Sequence, residues 1–180
     1  FLSWSSSKLW VKMSDPTHDF YQTCKSFYFN KTHDRVRSFL AQNNVADEET
    51  VINGIQVPTV NDMVSSLDEA WLCDVPAYKF HGDFILDNVI ETHNTFKLID
   101  WRQDFGGGLE SGDIYYDLAK LNHNLVISHD IARKTLYSID IDQKAGIKCD
   151  ILRKNMLIDC QKIFDEFCLS EGYDLKKIKT

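Results

Sequence analysis

The chain has 180 residues, 43% of them hydrophobic and 12% aromatic, which is typical of one folded domain with its own core and excludes a disordered, low-complexity chain. The formal net charge is −7, and the basic residues are scattered apart from a Lys-rich end. Because binding to a phosphate backbone needs clustered Lys and Arg, this charge pattern argues against nucleic acid as the main partner.

The five cysteines indicate a reducing compartment. Their number is odd and no two have C-x-x-C spacing, which fits neither a disulfide framework nor a zinc site. No apolar run has the length of a membrane span, and the first residues lack the basic start and apolar stretch of a signal peptide. We therefore predict a cytoplasmic protein without a membrane span.

The first half of the chain is predicted to be mainly helical. Asp15-Pro16 marks the start of one helix, and Thr32 is placed to cap a second helix that carries Val36, Phe39 and Leu40 on one face. Asn53-Gly54 lies between two apolar runs, which predicts a tight hairpin over residues 51–57. Thr59 is then expected to cap a third helix.

The second half mixes short strands with two longer helices. The predicted strands are 77–80, 88–91 and 96–99, the last two around a turn at 92–95, and a weak hairpin is predicted over 135–151. A helix over 113–126 would turn Ile114, Leu118, Leu121 and Leu125 inward. A second helix over 152–169 would bury the stripe Leu152, Met156, Cys160, Ile163 and Phe167.

We expect the hairpin over residues 88–99 to bring three polar side chains together. Asn88 and Asp100 lie symmetrically about Asn94 in the turn, so folding would place them side by side on strands about 4.8 Å apart. Asp83 lies on the loop that enters the hairpin and can return to the same end. An amide oxygen and a carboxylate in this arrangement are ligands suited to Mg²⁺, and Asp83 remains free to accept a proton.

These parts meet the requirements of phosphoryl transfer. Metal ions neutralise charge on the phosphates, while an aspartate positions the attacking hydroxyl group and takes its proton. Protein kinases spell the arrangement as H-R-D-x-x-x-x-N followed by D-F-G. This chain keeps the Asp-to-Asn spacing in the run His81-Gly82-Asp83-Phe84-Ile85-Leu86-Asp87-Asn88.

The H-G-D-x-x-x-x-N form resembles the aminoglycoside phosphotransferase and choline kinase family, within the protein-kinase-like superfamily. Two later strings strengthen the resemblance by matching the family patterns I-D-W and G-D-x-x-x-D-L-A: they are Ile99-Asp100-Trp101 and Gly112-Asp113-Ile114-Tyr115-Tyr116-Asp117-Leu118-Ala119. The string Trp101-Arg102-Gln103-Asp104-Phe105-Gly106-Gly107 resembles members associated with bacterial capsule and surface-polysaccharide biosynthesis. The resemblance covers residues 50–125.

The resemblance implies a role for each matching position. Asp83 would be the catalytic base that orients the acceptor hydroxyl group. Asn88 and Asp100 would bind Mg²⁺ on the phosphates of ATP, the phosphoryl donor. His81 would brace the loop, and Asp117 would hold the backbone of the loop from the following helix.

Three further residues are candidates for contact with the substrate, namely Asp113, Trp101 and Asp104. Asp113 has a second interpretation of equal weight, because it stands where a helix N-cap belongs. Sequence alone leaves the two roles open.

The resemblance also implies a fold. It is α+β and mostly helical, the C-terminal lobe of a protein-kinase-like enzyme with short embedded β-hairpins. The other lobe of such enzymes carries a nucleotide-covering loop and a phosphate-binding lysine. Nothing before His81 supplies them, since Lys8 and Lys12 lie on no convincing strand. We therefore expect residues 1–180 to be a single domain, the catalytic lobe of a longer chain, inactive without its N-terminal lobe.

The first functional hypothesis is an ATP-dependent O-phosphotransferase whose partners are a nucleotide and a small hydroxylated substrate. A capsule or surface-polysaccharide precursor, choline, ethanolamine, an aminoglycoside and a ketosamine all fit as acceptors, because the helical insertions set specificity. The alternative is a catalytically silent kinase-like binding module. A metal-dependent hydrolase using Asp83, Asp100, Asp113 and Asp117 is a distant third, because His ligands are lacking.

Overall fold

The chain folds as an α+β protein in which helices predominate. A computed structural model describes residues 1–102, 104–142 and 145–180. About 49% of the chain is helical and 19% is in strands, which confirms the α+β, mostly helical class. None of the helices in the described ranges is long and apolar enough to cross a membrane.

The helices are distributed along the whole chain. They are α1 (Leu2–Lys8), α2 (His18–Lys25), α3 (Lys31–Asn43), α4 (Val60–Ser65), α5 (Glu69–Cys73), α6 (Ile114–Val126), α7 (His129–Arg133), α8 (Asn155–Ser170) and α9 (Leu175–Lys179). Thr59 caps α4 as predicted, by accepting a hydrogen bond from the Asp62 N–H. Helix α2 begins later than predicted, because Thr17 is its N-cap and Pro16 lies outside it.

The strands form three small sheets within the described ranges. They are β1 (Lys12–Ser14), β2 (Thr50–Ile52), β3 (Ile55–Val57), β4 (Ala77–Tyr78), β5 (Val89–Thr92), β6 (Thr95–Leu98), β7 (Tyr137–Asp142) and β8 (Gly146–Ile151). Strand β1 pairs antiparallel with β4, so Lys12 does lie on a strand, contrary to expectation. Strands β5 and β6 form a hairpin, and the third sheet has the order β3-β2-β8-β7.

Two of the predicted hairpins are confirmed, and they join in one sheet. Asn53 and Gly54 have positive φ angles of 51° and 78°, as a tight turn of this kind needs. Strands β7 and β8 form the hairpin predicted over 135–151, although residues 143 and 144 lie outside the described ranges. The Asn53 side chain donates to the Cys149 carbonyl oxygen and accepts from its N–H, both at 2.8 Å. Sequence reasoning did not predict this union.

The predicted helix boundary at Thr32 is wrong. Helices α2 and α3 run into each other through a single π-helical turn, Ser26–Asn30. No Gly or Pro interrupts this segment, and a π turn accommodates an extra residue without ending the helix. The turn lets the consecutive Phe27 and Tyr28 both face the protein interior. Phe39, expected on the apolar face of α3, is 61% exposed.

Helix α8 has close to the predicted bounds, but it buries a different face. Met156 and Ile163 of the predicted stripe are 67% and 59% exposed. The buried residues are Leu157, Phe164 and Cys168. Apolar residues occur on both faces of this helix, so packing against α6 decides which face is buried, and the sequence pattern does not.

Helix α6 lies between two apolar clusters and carries the polar side chains described below. Its predicted inward residues, Ile114, Leu118, Leu121 and Leu125, are all buried. They pack in one cluster with Leu9, Trp10, Phe84, Leu157, Phe164, Cys168 and Ile178. The other cluster comprises Cys24, Phe27, Leu72, Cys73, Val75 and Phe105. This double packing makes α6 a rigid support.

Candidate active site

The run from His81 to Asn88 forms a loop between β4 and β5, and Asp117 of helix α6 holds its start. Asp117 is fully buried. Its two carboxylate oxygens accept hydrogen bonds from the N–H groups of His81 and Gly82, each at 2.7 Å. The indole Nε1–H of Trp10 adds a third bond at 3.1 Å. The two bonds to the loop backbone agree with the role that the resemblance implies for Asp117, and the bond from Trp10 was not predicted.

The charge state of Asp117 reflects two opposing effects. Burial raises its pKa to about 6, and the N–H donors of His81, Gly82 and Trp10 oppose this shift because they stabilise the carboxylate. The carboxylate therefore remains mainly ionised at neutral pH, where it can accept all three bonds.

Position 82 requires glycine. Gly82 has a φ angle of +82°, a conformation that residues with a Cβ rarely adopt. A Cβ placed there would lie 2.4 Å from the Cβ of Arg102, well inside van der Waals contact. The Arg102 N–H also donates to the His81 carbonyl oxygen at 3.0 Å. Arg102 is therefore packed directly against the loop.

His81 braces the loop against the hairpin that follows it. Its side chain is 1% exposed. Nδ1 accepts a hydrogen bond from the Asp83 N–H at 3.2 Å, so Nε2 carries the proton and donates to the Ile99 carbonyl oxygen at 2.9 Å. Burial lowers the pKa of His81, which keeps the ring neutral. This arrangement suits a structural histidine.

Asp83 faces a lysine that sequence analysis did not identify. The ammonium group of Lys120, on α6, lies 2.7 Å from Oδ1 of Asp83, and each side chain is about a third exposed, at 34% and 35%. Partial burial raises the pKa of Asp83, but the hydrogen bond and charge of Lys120, with the amide of Asn88, outweigh it and hold the pKa below its usual value. Asp83 is thus an ionised carboxylate at the protein surface.

The predicted pairing of Asn88 with Asp100 is off by one residue. Asn88 faces Ile99, whose N–H donates to the Asn88 carbonyl oxygen at 3.0 Å. The turn of this hairpin has two central residues, so no single residue lies at its centre. Asp100 follows at the same end of the hairpin with a φ angle of 59°, which turns the chain away from the strand direction.

Asn88 and Asp100 keep oxygen atoms suited to a hard cation. Nδ2 of Asn88 donates to the carbonyl oxygen and Oδ2 of Asp83 at 2.9 and 3.3 Å, and within the described ranges its Oδ1 accepts no hydrogen bond. Asp100 is exposed and forms no ion pair with a described residue. No cluster of three His, Cys, Asp or Glu among the described residues would hold a metal alone. An ion here would need phosphate or water oxygens as well, as Mg²⁺ commonly does.

Polar side chains on one face of α6, which we call the polar stripe, hold the loop at three points. After Asp117 and Lys120, the next residue on this face is Asn124, which is buried and whose Oδ1 accepts a hydrogen bond from the Leu86 N–H at 3.0 Å. The spacings of three and four residues place these side chains on one helix face. The stripe therefore fixes the loop at its beginning, at the Asp83 carboxylate and near its end.

Asp113 begins this stripe as the N-cap of α6. One carboxylate oxygen accepts from the Tyr115 N–H at 2.9 Å, and the other accepts from the Tyr28 hydroxyl group at 2.7 Å. Its side chain is fully buried. Of the two roles that the sequence left open, the structure shows the cap, and it places Asp113 away from the surface that a substrate would meet.

We expect Asp113→Asn to change the pH dependence of stability. Burial raises the pKa of Asp113 to about 6, above the 3.8 of an unfolded carboxyl group, so the wild type loses stability as pH rises from 4 to 6. The isosteric amide removes this loss, which amounts to about 3 kcal/mol. The free energy of unfolding should be measured in urea at pH 4.5 and at pH 7. The value for the variant minus the value for the wild type should be larger at pH 7. A difference that is constant between the two pH values would contradict this expectation.

The other two candidates for contact with the substrate, Trp101 and Asp104, each form a hydrogen bond with a backbone group. Trp101 is 50% exposed, donates its Nε1–H to the Leu98 carbonyl oxygen at 3.1 Å and lies 4.7 Å from the His81 ring centre. Asp104 accepts from the Gly107 N–H at 2.9 Å and so fastens the glycine-rich loop. Gln103, between them in the capsule-associated string, lies outside the described residues. Substrate contact by Trp101 and Asp104 stays a prediction.

Comparison with known proteins yields no relative: no family model, curated protein or solved structure matches the chain. The interpretation of this site therefore depends on its own geometry and on the motif.

Proposed function

We propose that the chain carries the catalytic centre of an ATP-dependent O-phosphotransferase that acts on a hydroxyl group of a small molecule. The observation that carries the proposal is the position of Asp83. Its carboxylate is ionised and partly exposed, on a loop whose backbone is fixed by a buried aspartate. A general base needs this combination of access, charge and fixed geometry.

The two oxygens of Asp83 suit different tasks. Oδ1 is held by Lys120 at 2.7 Å, whereas the one contact of Oδ2 with a described residue is a long one of 3.3 Å with the Asn88 amide. Oδ2 can therefore accept the hydrogen bond of an incoming hydroxyl group. It can take the proton of that group as the new oxygen–phosphorus bond forms and the bond between the γ-phosphorus and the leaving ADP oxygen breaks. Lys120 fixes the orientation of the carboxylate and adds positive charge where phosphate charge develops.

The proposal includes Mg²⁺ as cofactor, held by Asn88 Oδ1 and the Asp100 carboxylate. When bound, the ion neutralises charge on the nucleotide phosphates. Their fit is chemical: both are oxygen donors that the described residues leave uncommitted. The proposal further includes a nucleotide-covering lobe with a phosphate-binding lysine, supplied by protein outside residues 1–180, and a cytoplasmic location.

The test is phosphoryl transfer by the full-length natural protein. We expect acceptor-dependent release of ADP from Mg-ATP across a panel of hydroxylated metabolites, with the phosphorylated product identified by ³¹P NMR. Chelation of the metal should abolish transfer, and Asp100→Asn should reduce it by about 10²-fold or more. The matched control is Asp150→Asn, which changes an exposed aspartate on β8.

Two outcomes would contradict the proposal. Asp100→Asn with wild-type turnover would remove the carboxylate from the metal site. Saturable metabolite binding without transfer to any acceptor would favour a silent binding module instead.

A further inference from the structure

Three cations of this acidic chain lie near one another, and one of them packs against the catalytic loop. They are Lys31 and Arg35 on α3 and Arg102, which follows the β5–β6 hairpin. Lys31 Nζ and the Arg102 guanidinium carbon lie 4.6 and 5.0 Å from the centre of the same ring, that of Phe27. A local concentration of positive charge is unexpected in a protein of net charge −7.

Two hydrogen bonds and two aromatic rings hold the Arg102 guanidinium in place. Its Nε–H donates to the Asp104 carbonyl oxygen at 2.8 Å, and Nη1 donates to the Tyr116 hydroxyl group at 3.2 Å. The guanidinium also lies over the Tyr116 ring, at 5.7 Å from its centre. A guanidinium has five N–H donors, and three of those of Arg102 have no hydrogen-bond partner among the described residues. A preorganised arginine of this kind suits phosphate oxygens.

Neither Lys31 nor Arg35 forms an ion pair with any described carboxylate. Asp34, their neighbour on α3, lies 3.6 Å from Arg37 instead. Burial and the charges of Arg102 and Arg35 lower the pKa of Lys31, which reflects mutual repulsion within the cluster. Like charges held together in this way cost folding free energy, and a bound anion would offset that cost.

Two of the three cations open onto a depression in the surface. Lys31 and Arg35 line this depression of about 470 Å³, together with Ser26, Asn30 and the Asp34 carboxylate. Arg102, which lies over the same Phe27 ring as Lys31, packs against Gly82, the residue that precedes Asp83. Arg102 therefore connects the cations to the catalytic loop.

We propose that this cluster binds the anionic group of the acceptor, and that the acceptor is a small hydroxylated molecule bearing a phosphate monoester. The inference rests on the proposed function. Three cations and the two nearby carboxylates, Asp34 and Asp104, leave one positive charge, which attracts an anion, and the fork of Arg102 suits the oxygens of a phosphate monoester. The same charges repel cationic acceptors, so choline, ethanolamine and aminoglycosides are disfavoured.

The test measures binding without nucleotide or metal, so it is independent of phosphoryl transfer. The probes are glycerol 3-phosphate, inorganic phosphate and uncharged glycerol, titrated calorimetrically into the full-length protein at low salt. We expect saturable binding of the two phosphates and none of glycerol. Arg35→Gln should weaken phosphate binding at least tenfold, as expected when one charged hydrogen bond is lost. Arg37→Gln is the matched control on the same helix, because Arg37 is 80% exposed and faces Asp34.

The inference would be overturned by an equal loss in Arg37→Gln or by the absence of phosphate binding. It would also be overturned if, in a separate titration with Mg-ADP, Arg35→Gln weakened the binding of Mg-ADP as much as that of glycerol 3-phosphate. The last result would assign the cluster to the nucleotide. Phosphate binding that depends on Arg35, in a protein that transfers no phosphoryl group, would support the anion site and contradict the proposed function alone.

Discussion

Replacing Asp83 with asparagine is expected to lower the turnover of phosphoryl transfer by about 10² to 10⁴-fold, the usual contribution of a general base. The amide has the size of the carboxylate, so it keeps the loop packing, but it cannot take a proton from the acceptor hydroxyl group. Acceptor binding should change little, because the base acts mainly in the transition state. Steady-state rates of ADP release at saturating acceptor are the measurement.

Asp87→Asn is the matched control for this prediction. Asp87 belongs to the same loop, but its carboxylate is 53% exposed and, in the part of the chain that the structure describes, its side chain bonds only to His129, at 3.1 Å. Both variants should unfold close to the wild-type midpoint, because the contacts that they lose are partly exposed and contribute little to stability. If Asp83→Asn and Asp87→Asn had the same turnover, Asp83 could not be the base.

Removing the Asp117 carboxylate is expected to have the largest effect on stability. Asp117→Ala leaves the N–H groups of His81 and Gly82 and the indole N–H of Trp10 buried without partners. Each such donor costs about 1–3 kcal/mol, so the loss should reach about 3 kcal/mol or more. For a chain of this size, the melting temperature should fall by roughly 10 °C.

Two measurements separate a local role from general damage. Amide hydrogen exchange should accelerate at His81 and Gly82 more than in the buried middle of α8, because the loop loses its anchor. Asp159→Ala, at an exposed aspartate paired with Lys162, should leave the midpoint near that of the wild type. A wild-type midpoint in Asp117→Ala would show that the three bonds contribute little to stability.

The fold could be predicted from the sequence where one local pattern allows only one way of packing. Helix α6 was predicted with its buried face because its apolar residues form one stripe, whereas α8 has apolar residues on both faces and its partner decided between Leu157 and Ile163. The Asn53-Gly54 turn was predicted from its special backbone requirement. Its union with β8 was not, since pairing between distant strands leaves no local signal.

The candidate site shows the same division. The motif located Asp83, Asn88, Asp100 and Asp117, but the register of the β5–β6 hairpin was one residue off because a two-residue turn has no central residue. Lys120 was missed, although it lies three residues after Asp117. Extending the Asp117 stripe by helical spacing would have found it.

The polar stripe on α6 also has an evolutionary consequence. Within residues 1–180, the side chains proposed for the chemistry lie in one contiguous stretch from His81 to Asn124, whereas two of the three cations proposed to bind the acceptor lie earlier, on α3. The two stretches can accumulate changes separately, because the contacts of the polar stripe with the loop involve no residue of α3. A lineage with this architecture can inherit its reaction unchanged while drifting from one acceptor to another.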